Sequence, residues 1–168
     1  MSVQEHKAQA PEVVRCMIVT VSDTRNEETD KSGKLIHAFL ENDHHKISDY
    51  RIVKDDTKSI RDAAEYGIQN EDIDVVLFNG GTGIASRDVT IESLTTLFDK
   101  EIPGFGELFR MLSYTDDIGS SAMLSRAVAG VKDRTAIFAL PGSSGAVKLG
   151  MEKLILPELS HVVQQLKK

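Results

Sequence analysis

Three short apolar runs, each cut off by glycine or small polar residues, set the tightest limit on how this chain can fold. Residues 13–21, 73–78 and 135–140 are rich in Val, Ile, Leu and Ala and show no strict polar alternation. Each is followed at once by a turn cluster: Ser22-Asp23-Thr24, Asn79-Gly80-Gly81-Thr82-Gly83 and Pro141-Gly142-Ser143-Ser144-Gly145. A continuous apolar run of this length fits a strand covered on both faces.

The segments between these runs have helical spacing. Residues 32–41 place Leu35, Ile36, Phe39 and Leu40 on one face. Residues 57–69 place Ile60, Ala63, Ala64 and Ile68 behind Thr57 or Ser59 as the helix cap. Residues 47–54 read as a further strand. Helices are expected from Thr90 onward, over residues 105–114 and 121–131, and from Ala146 to Leu166 with an interruption at Pro157. Strands alternating with helices imply parallel βαβ units. The expected fold class is therefore α/β, a three-layer αβα sandwich around a mostly parallel central sheet. Residues 1–12 are polar and read as a flexible N-terminal arm, and residues 13–168 read as a single domain.

Composition then narrows function by exclusion. The 168 residues carry a formal net charge of −6, which opposes sequence-independent binding to nucleic acid. No apolar stretch approaches the roughly 18 residues needed to span a membrane, and the first residues lack the apolar core of a signal peptide. A cytoplasmic protein with no membrane partner is the expectation. The one cysteine, Cys16, lies in an apolar run and reads as a core thiol. The five histidines show no metal-ligand spacing. No P-loop, dinucleotide fingerprint or serine-hydrolase elbow is present.

Ligands of a doubly wound sheet bind outside the carboxyl ends of its strands, where all three turn clusters fall. In Gly80-Gly81-Thr82-Gly83, glycines permit positive φ and let consecutive backbone N–H groups line an anion-binding concavity. Asp88, five residues beyond Gly83, is either a Mg²⁺ ligand beside that anion or a helix N-terminal residue favoured by the dipole. Asp55-Asp56 reads as a solvated turn with a cap, or as a metal or ribose contact, and Asp23 divides the same way. Ser143 or Ser144 caps the helix after Pro141-Gly142. Arg87 and Arg126 can contact phosphate or pair with a nearby acid.

Four motifs in order carry a family resemblance. They are Val19-Thr20-Val21-Ser22-Asp23-Thr24-Arg25, Gly80-Gly81-Thr82-Gly83 with Arg87-Asp88-Val89-Thr90, Ala122-Met123-Leu124-Ser125-Arg126-Ala127, and Leu140-Pro141-Gly142-Ser143. Together they resemble the molybdopterin-binding family, most closely its MoaB branch, which is similar to the molybdopterin adenylyltransferases and the gephyrin G domain. Asn79 stands where many of that family carry Thr. The resemblance implies molybdenum cofactor biosynthesis in a homo-oligomer, trimer or hexamer. It implies that a molybdopterin phosphate attacks the α-phosphorus of ATP, assisted by Mg²⁺, giving adenylyl-molybdopterin and pyrophosphate. By the same resemblance Asp56 and Asp88 are the catalytic and metal-binding acids. Gly80, Gly81, Thr82 and Gly83 hold a phosphate, Ser22 and Asp23 shape the nucleotide or pterin pocket, and Ser125 lies near the pterin phosphate. Pro141, Gly142, Ser143 and Ser144 line the remainder. A pterin-binding carrier oligomer without turnover is the alternative, and a scaffold oligomer is a third reading. The stripe Phe105, Leu108, Phe109 and Leu112 serves either core or interface.

Overall fold

The apolar runs become strands of one sheet. The computed structural model describes residues 2–168. Among them the order is α1 (Val3–Ala8), β1 (Arg15–Val21), α2 (Lys31–Asn42), β2 (Lys46–Val53), α3 (Thr57–Gln69) and β3 (Val75–Asn79). Then follow α4 (Thr90–Thr95), β4 (Lys100–Glu101), α5 (Pro103–Asp116), a 3-10 turn (Gly119–Leu124), β5 (Val128–Lys132) and β6 (Thr135–Leu140). The chain ends in α6 (Ser144–Gly150), a π-helical turn (Met151–Ile155) and α7 (Leu156–Leu166). The sheet has six strands in the order β2-β1-β3-β6-β5-β4. β2, β1, β3 and β6 are parallel, while β5 and β4 run antiparallel at one edge. No helix among the described residues is long and apolar enough to cross a membrane.

Both faces of the sheet are covered, which is why β1, β3 and β6 needed unbroken apolar runs. On one face Cys16, Ile18, Leu77 and Phe138 pack under Ile36 and Leu40 of α2, Phe105 and Phe109 of α5, and Leu159 and Val163 of α7. On the other Met17, Val19, Val76 and Ile137 pack under Ile60 and Ala64 of α3 and Leu94 of α4. Cys16 is buried here as a core thiol, and burial pushes its pKa up, so it is inert.

Three expectations change. Residues 121–131 form no helix; the 3-10 turn and then β5 occupy them. Gly130 explains the strand, because a Cβ there would lie 2.3 Å from the Phe98 ring, so the ring needs a bare stretch of extended backbone. The next turn to β6 places Asp133 at φ 53. Secondly, Pro157 does not interrupt the last helix. It falls in the first turn of α7, where a missing N–H costs little, and the irregularity is the π-turn before it. Thirdly, the segment read as an arm contains α1. Ser2 and Glu5 form a capping box, and Lys7 reaches Glu158 of α7 at 2.5 Å.

Candidate functional site

The chain leaves β1 for α2 on one face of the sheet and leaves β3 for α4 on the other. The two loops diverge, and the crevice between them is the switch point where such sheets bind ligands. Gly80 and Gly81 make the β3 turn at φ 94 and φ 66. A Cβ on Gly80 would lie 2.4 Å from the Val21 carbonyl oxygen, so the turn closes against the end of β1 only without a side chain. Thr90 pins it from α4, its Oγ1 donating to the Gly80 carbonyl at 2.8 Å and its amide to the Gly81 carbonyl at 3.0 Å. The β6 loop arrives beside it: a Cβ on Gly142 would sit 3.2 Å from Gly80 Cα. The glycine turns after β3 and β6 thus share one cleft.

Two joined cavities open there. One, of about 260 Å³, is lined by Ser22, Asp23, Arg25, Asp55, Arg87 and Asp88 with Gly80, Gly81 and Gly142. The other, of about 450 Å³, is lined by Thr82, Gly83, Leu124, Ser125, Arg126, Pro141 and Ser143, and shares Gly81, Asp88 and Gly142 with the first. A larger cavity of about 610 Å³ lies at the opposite end of the sheet. Its Arg15 is committed to Asp74 at 2.9 Å and Asp72 at 3.4 Å, and Arg134 and Lys167 line it as well, but no glycine turn of the central strands opens into it.

The first cavity is crowded with carboxylates. Asp23 and Asp55 lock their loops together, each backbone N–H donating to the other's carboxylate at 3.0 Å. Burial and then the Asp23 charge push the Asp55 pKa above its ordinary value, Asp88 adds to the rise, and Arg87 opposes it. Asp88 Oδ2 accepts from the Ala85 amide at 3.0 Å, which turns the Gly83 to Asp88 segment back on itself. Among the described residues no three acidic, histidine or cysteine side chains converge as a ready-made metal cage. Crowded carboxylates beside anion-binding amides suit Mg²⁺, which is commonly held by one or two carboxylates together with substrate phosphates.

Of the two acids that the resemblance assigns, Asp88 lines both cavities and Asp56 lies outside them. Asp56 caps α3, accepting from the Ser59 amide at 2.7 Å and its hydroxyl at 2.9 Å, and these bonds lower its pKa. It lines neither cavity; Asp55 stands in its place. The capping rule contained the signal, since Asp56 directly precedes the helix and outranks Thr57 as a cap. Ser22 spends its hydroxyl on the Thr24 and Arg25 amides at 3.2 and 3.0 Å, shaping the loop. Ser143 caps α6 through the Ala146 amide at 3.2 Å, and Ser144 is exposed at its first residue. Arg126 pairs with Glu92 and donates to the Thr82 carbonyl at 3.0 Å and the Gly83 carbonyl at 2.7 Å, so it braces the glycine loop. Arg87 is exposed at the cavity edge. Arg25 was legible only as part of a motif, yet it lines the cavity, with its guanidinium held by Ser32 and the Gly142 carbonyl.

A doubly wound sheet with a glycine-lined cleft at its switch point defines the class: an α/β protein whose candidate ligand site lies outside the carboxyl ends of its central strands. The comparisons make this particular. Residues 17–161 match the family model described as a probable molybdopterin binding domain. The molybdenum cofactor biosynthesis protein B of Bacillus subtilis (strain 168) is 62% identical over 168 residues, covering 100% of this chain and 99% of that one. A crystal structure of a molybdenum cofactor biosynthesis protein B superposes with a TM-score of 0.92 at 63% identity, covering 95% of this chain and 99% of that one. The tungsten cofactor synthesizing protein MoaB from Pyrococcus furiosus superposes with a TM-score of 0.84 at 40% identity, covering 95% and 100%. The chain belongs to the molybdopterin-binding family.

Proposed function

We propose that this protein acts in molybdenum cofactor biosynthesis by adenylylating molybdopterin. The observation that carries the reading is the meeting of two cavities at Gly81, Asp88 and Gly142, one acidic and one lined by Leu124, Ser125 and Thr82. ATP occupies the first and molybdopterin the second, so that the pterin phosphate faces the α-phosphorus. A phosphate oxygen of molybdopterin attacks that phosphorus, the bond to the β-phosphate oxygen breaks, and pyrophosphate leaves. This chemistry asks a protein for positioning and charge neutralisation rather than a covalent intermediate. Amides of the Gly80–Gly83 turn hold phosphate, Arg25 and Arg87 balance charge, and Ser125 orients the pterin phosphate. Asp55 and Asp88 hold Mg²⁺, which screens the repulsion between the two phosphates when bound.

Self-association completes the proposal. Met111 is 53% exposed, Tyr114 61% and Met123 81%, on a face shared by α5 and the 3-10 turn. Phe105 and Phe109 of the same helix are core, so the stripe divides between core and surface, with Leu108 exposed. Covering this face with further copies of the chain gives a trimer or hexamer.

The test is incubation with ATP, Mg²⁺ and molybdopterin, followed by chromatography. Adenylyl-molybdopterin and pyrophosphate in equal amounts are expected. Pterin binding without any adenylylated product at saturating ATP would overturn catalysis and leave the carrier reading.

A further inference from the structure

Beneath the acidic cavity, behind Arg25, lies a buried polar chain to which the reaction above assigns no role. It begins at Arg25, whose Nη1 donates to Ser32 Oγ at 2.6 Å and whose Nη2 donates to the Gly142 carbonyl at 3.0 Å. Ser32 Oγ lies 2.6 Å from Asn79 Oδ1. Asn79 Nδ2 donates to Thr20 Oγ1 at 2.9 Å, and Thr20 Oγ1 donates to Asp30 Oδ2 at 2.7 Å. Thr20, Asp30 and Asn79 are fully buried and Ser32 nearly so.

The chemistry of the two ends fixes the direction of every link. A guanidinium only donates and a carboxylate only accepts. Ser32 must therefore accept from Arg25, which leaves its one proton for Asn79. The Asn79 amide then presents its nitrogen to Thr20, and Thr20 spends its proton on Asp30. Asp30 is otherwise ringed by donors: the Gly33 amide at 3.0 Å on Oδ1 and the Tyr50 hydroxyl on Oδ2. Burial and the Asp30 bond push the Tyr50 phenol up, so it stays a donor. Aligned links of this kind polarise one another in a low-dielectric interior. The Asp30 carboxylate itself lies 3.8 Å from the Arg25 guanidinium, close enough to share its field.

The chain also ties together the loops that build the cleft. Thr20 is the penultimate residue of β1, Asn79 precedes Gly80, Ser32 lies in the first turn of α2, and Gly142 follows β6. Arg25 is the one side chain of the network that lines the cavity. Resting on the reading of that cavity as the ATP subsite, we propose that the buried relay Asp30–Thr20–Asn79–Ser32 positions the Arg25 guanidinium as the fixed cation that binds the nucleotide's phosphates. The members of the relay are positioning residues; Arg25 is the contact.

The experiment is a double-mutant cycle read by calorimetric titration of the full chain with Mg²⁺-ATP and, separately, with inorganic pyrophosphate. Thr20→Val keeps the shape of a buried side chain outside the cavity and removes one link. Arg25→Ala and Thr20→Val are each expected to weaken binding about tenfold, the scale of one hydrogen bond to a charged group. The double variant is expected to bind no more weakly than Arg25→Ala alone, and Thr20→Ser is expected to restore wild-type affinity. If Thr20→Val fails to fold, Ser32→Ala enters the same cycle. Multiplying effects, a Thr20→Val or Ser32→Ala protein that binds like the wild type, or an unaffected Arg25→Ala protein would each overturn the relay while leaving the ATP subsite standing. A wild-type protein that binds neither ATP nor pyrophosphate would overturn both.

Discussion

Adjacent aspartates at the end of β2 do different work. Asp55 faces Asp23 and Asp88, whereas Asp56 caps α3. If Asp55 holds the metal as proposed, Asp55→Asn is expected to cut adenylyl transfer by at least about tenfold. Asp56→Asn is expected to leave turnover intact and lower the melting temperature slightly. Coupled turnover and thermal denaturation measurements separate them. The pH dependence has a definite sign. The Asp55 pKa is raised on folding, so the folded state holds that proton more tightly than an unfolded carboxyl with a pKa of about 3.9. Its contribution to stability therefore falls as pH rises from that value through the raised one, and Asp55→Asn should flatten the slope in thermal melts across that window. Bound cation should reverse the preference, so Mg²⁺-ATP affinity should weaken as pH is lowered through the same window. Gly80→Ala should cost on the order of 1–3 kcal/mol in denaturant unfolding, because φ 94 and the Val21 carbonyl at 2.4 Å both oppose a Cβ.

Elements hold these residues in place through braces far apart in sequence. Arg126, just after the 3-10 turn, grips two carbonyls of the glycine loop and Glu92 of α4. Arg126→Ala is expected to raise the KM for molybdopterin more than it lowers kcat, since the loop that shapes the second cavity loses its tether. At the other end of the sheet, burial alone would raise Asp74, whose side chain is 8% exposed, but side-chain and backbone bonds from Arg15 hold its pKa below the usual value. Such a carboxyl stabilises the fold above its unfolded pKa and loses that contribution as pH falls toward the lowered one. Urea unfolding at decreasing pH should show this loss, and Asp74→Asn should abolish that part of it. Sequence patterning found β1, β3 and β6 as unbroken apolar runs bounded by turn residues, and α2 and α3 by their helical spacing. It missed β5, where Ala129 and the preceding Ala127 favour helix, Val128 and Val131 favour strand and Gly130 favours neither, so packing of the bare Gly130 backbone against the Phe98 ring decides the outcome. The same logic explains Asp55 and Asp56: local rules identify a cap, but only the fold brings Asp23 opposite its neighbour.

At the scale of the molecule, the parallel sheet follows from strands that alternate with helices, and the position of the cleft follows from the strand order β2-β1-β3-β6. The glycine turns after β3 and β6 were legible as anion-binding candidates, and their adjacency follows from β3 pairing with β6. The antiparallel edge of β5 and β4 was not legible, since β4 is only two residues long. The exposed apolar face of α5 belongs to this scale as well. Met111→Lys with Met123→Lys should reduce the mass seen by light scattering toward that of one chain without unfolding it, because neither side chain is buried. The central claim is that phosphates sit where β1, β3 and β6 end. A crystal structure determined after soaking with Mg²⁺ and ATP tests it most directly. The triphosphate should lie between the Gly81 amide, Arg25 and the Asp55–Asp88 pair. A nucleotide found instead beside Arg15, Arg134 and Lys167 at the opposite end of the sheet would contradict the account.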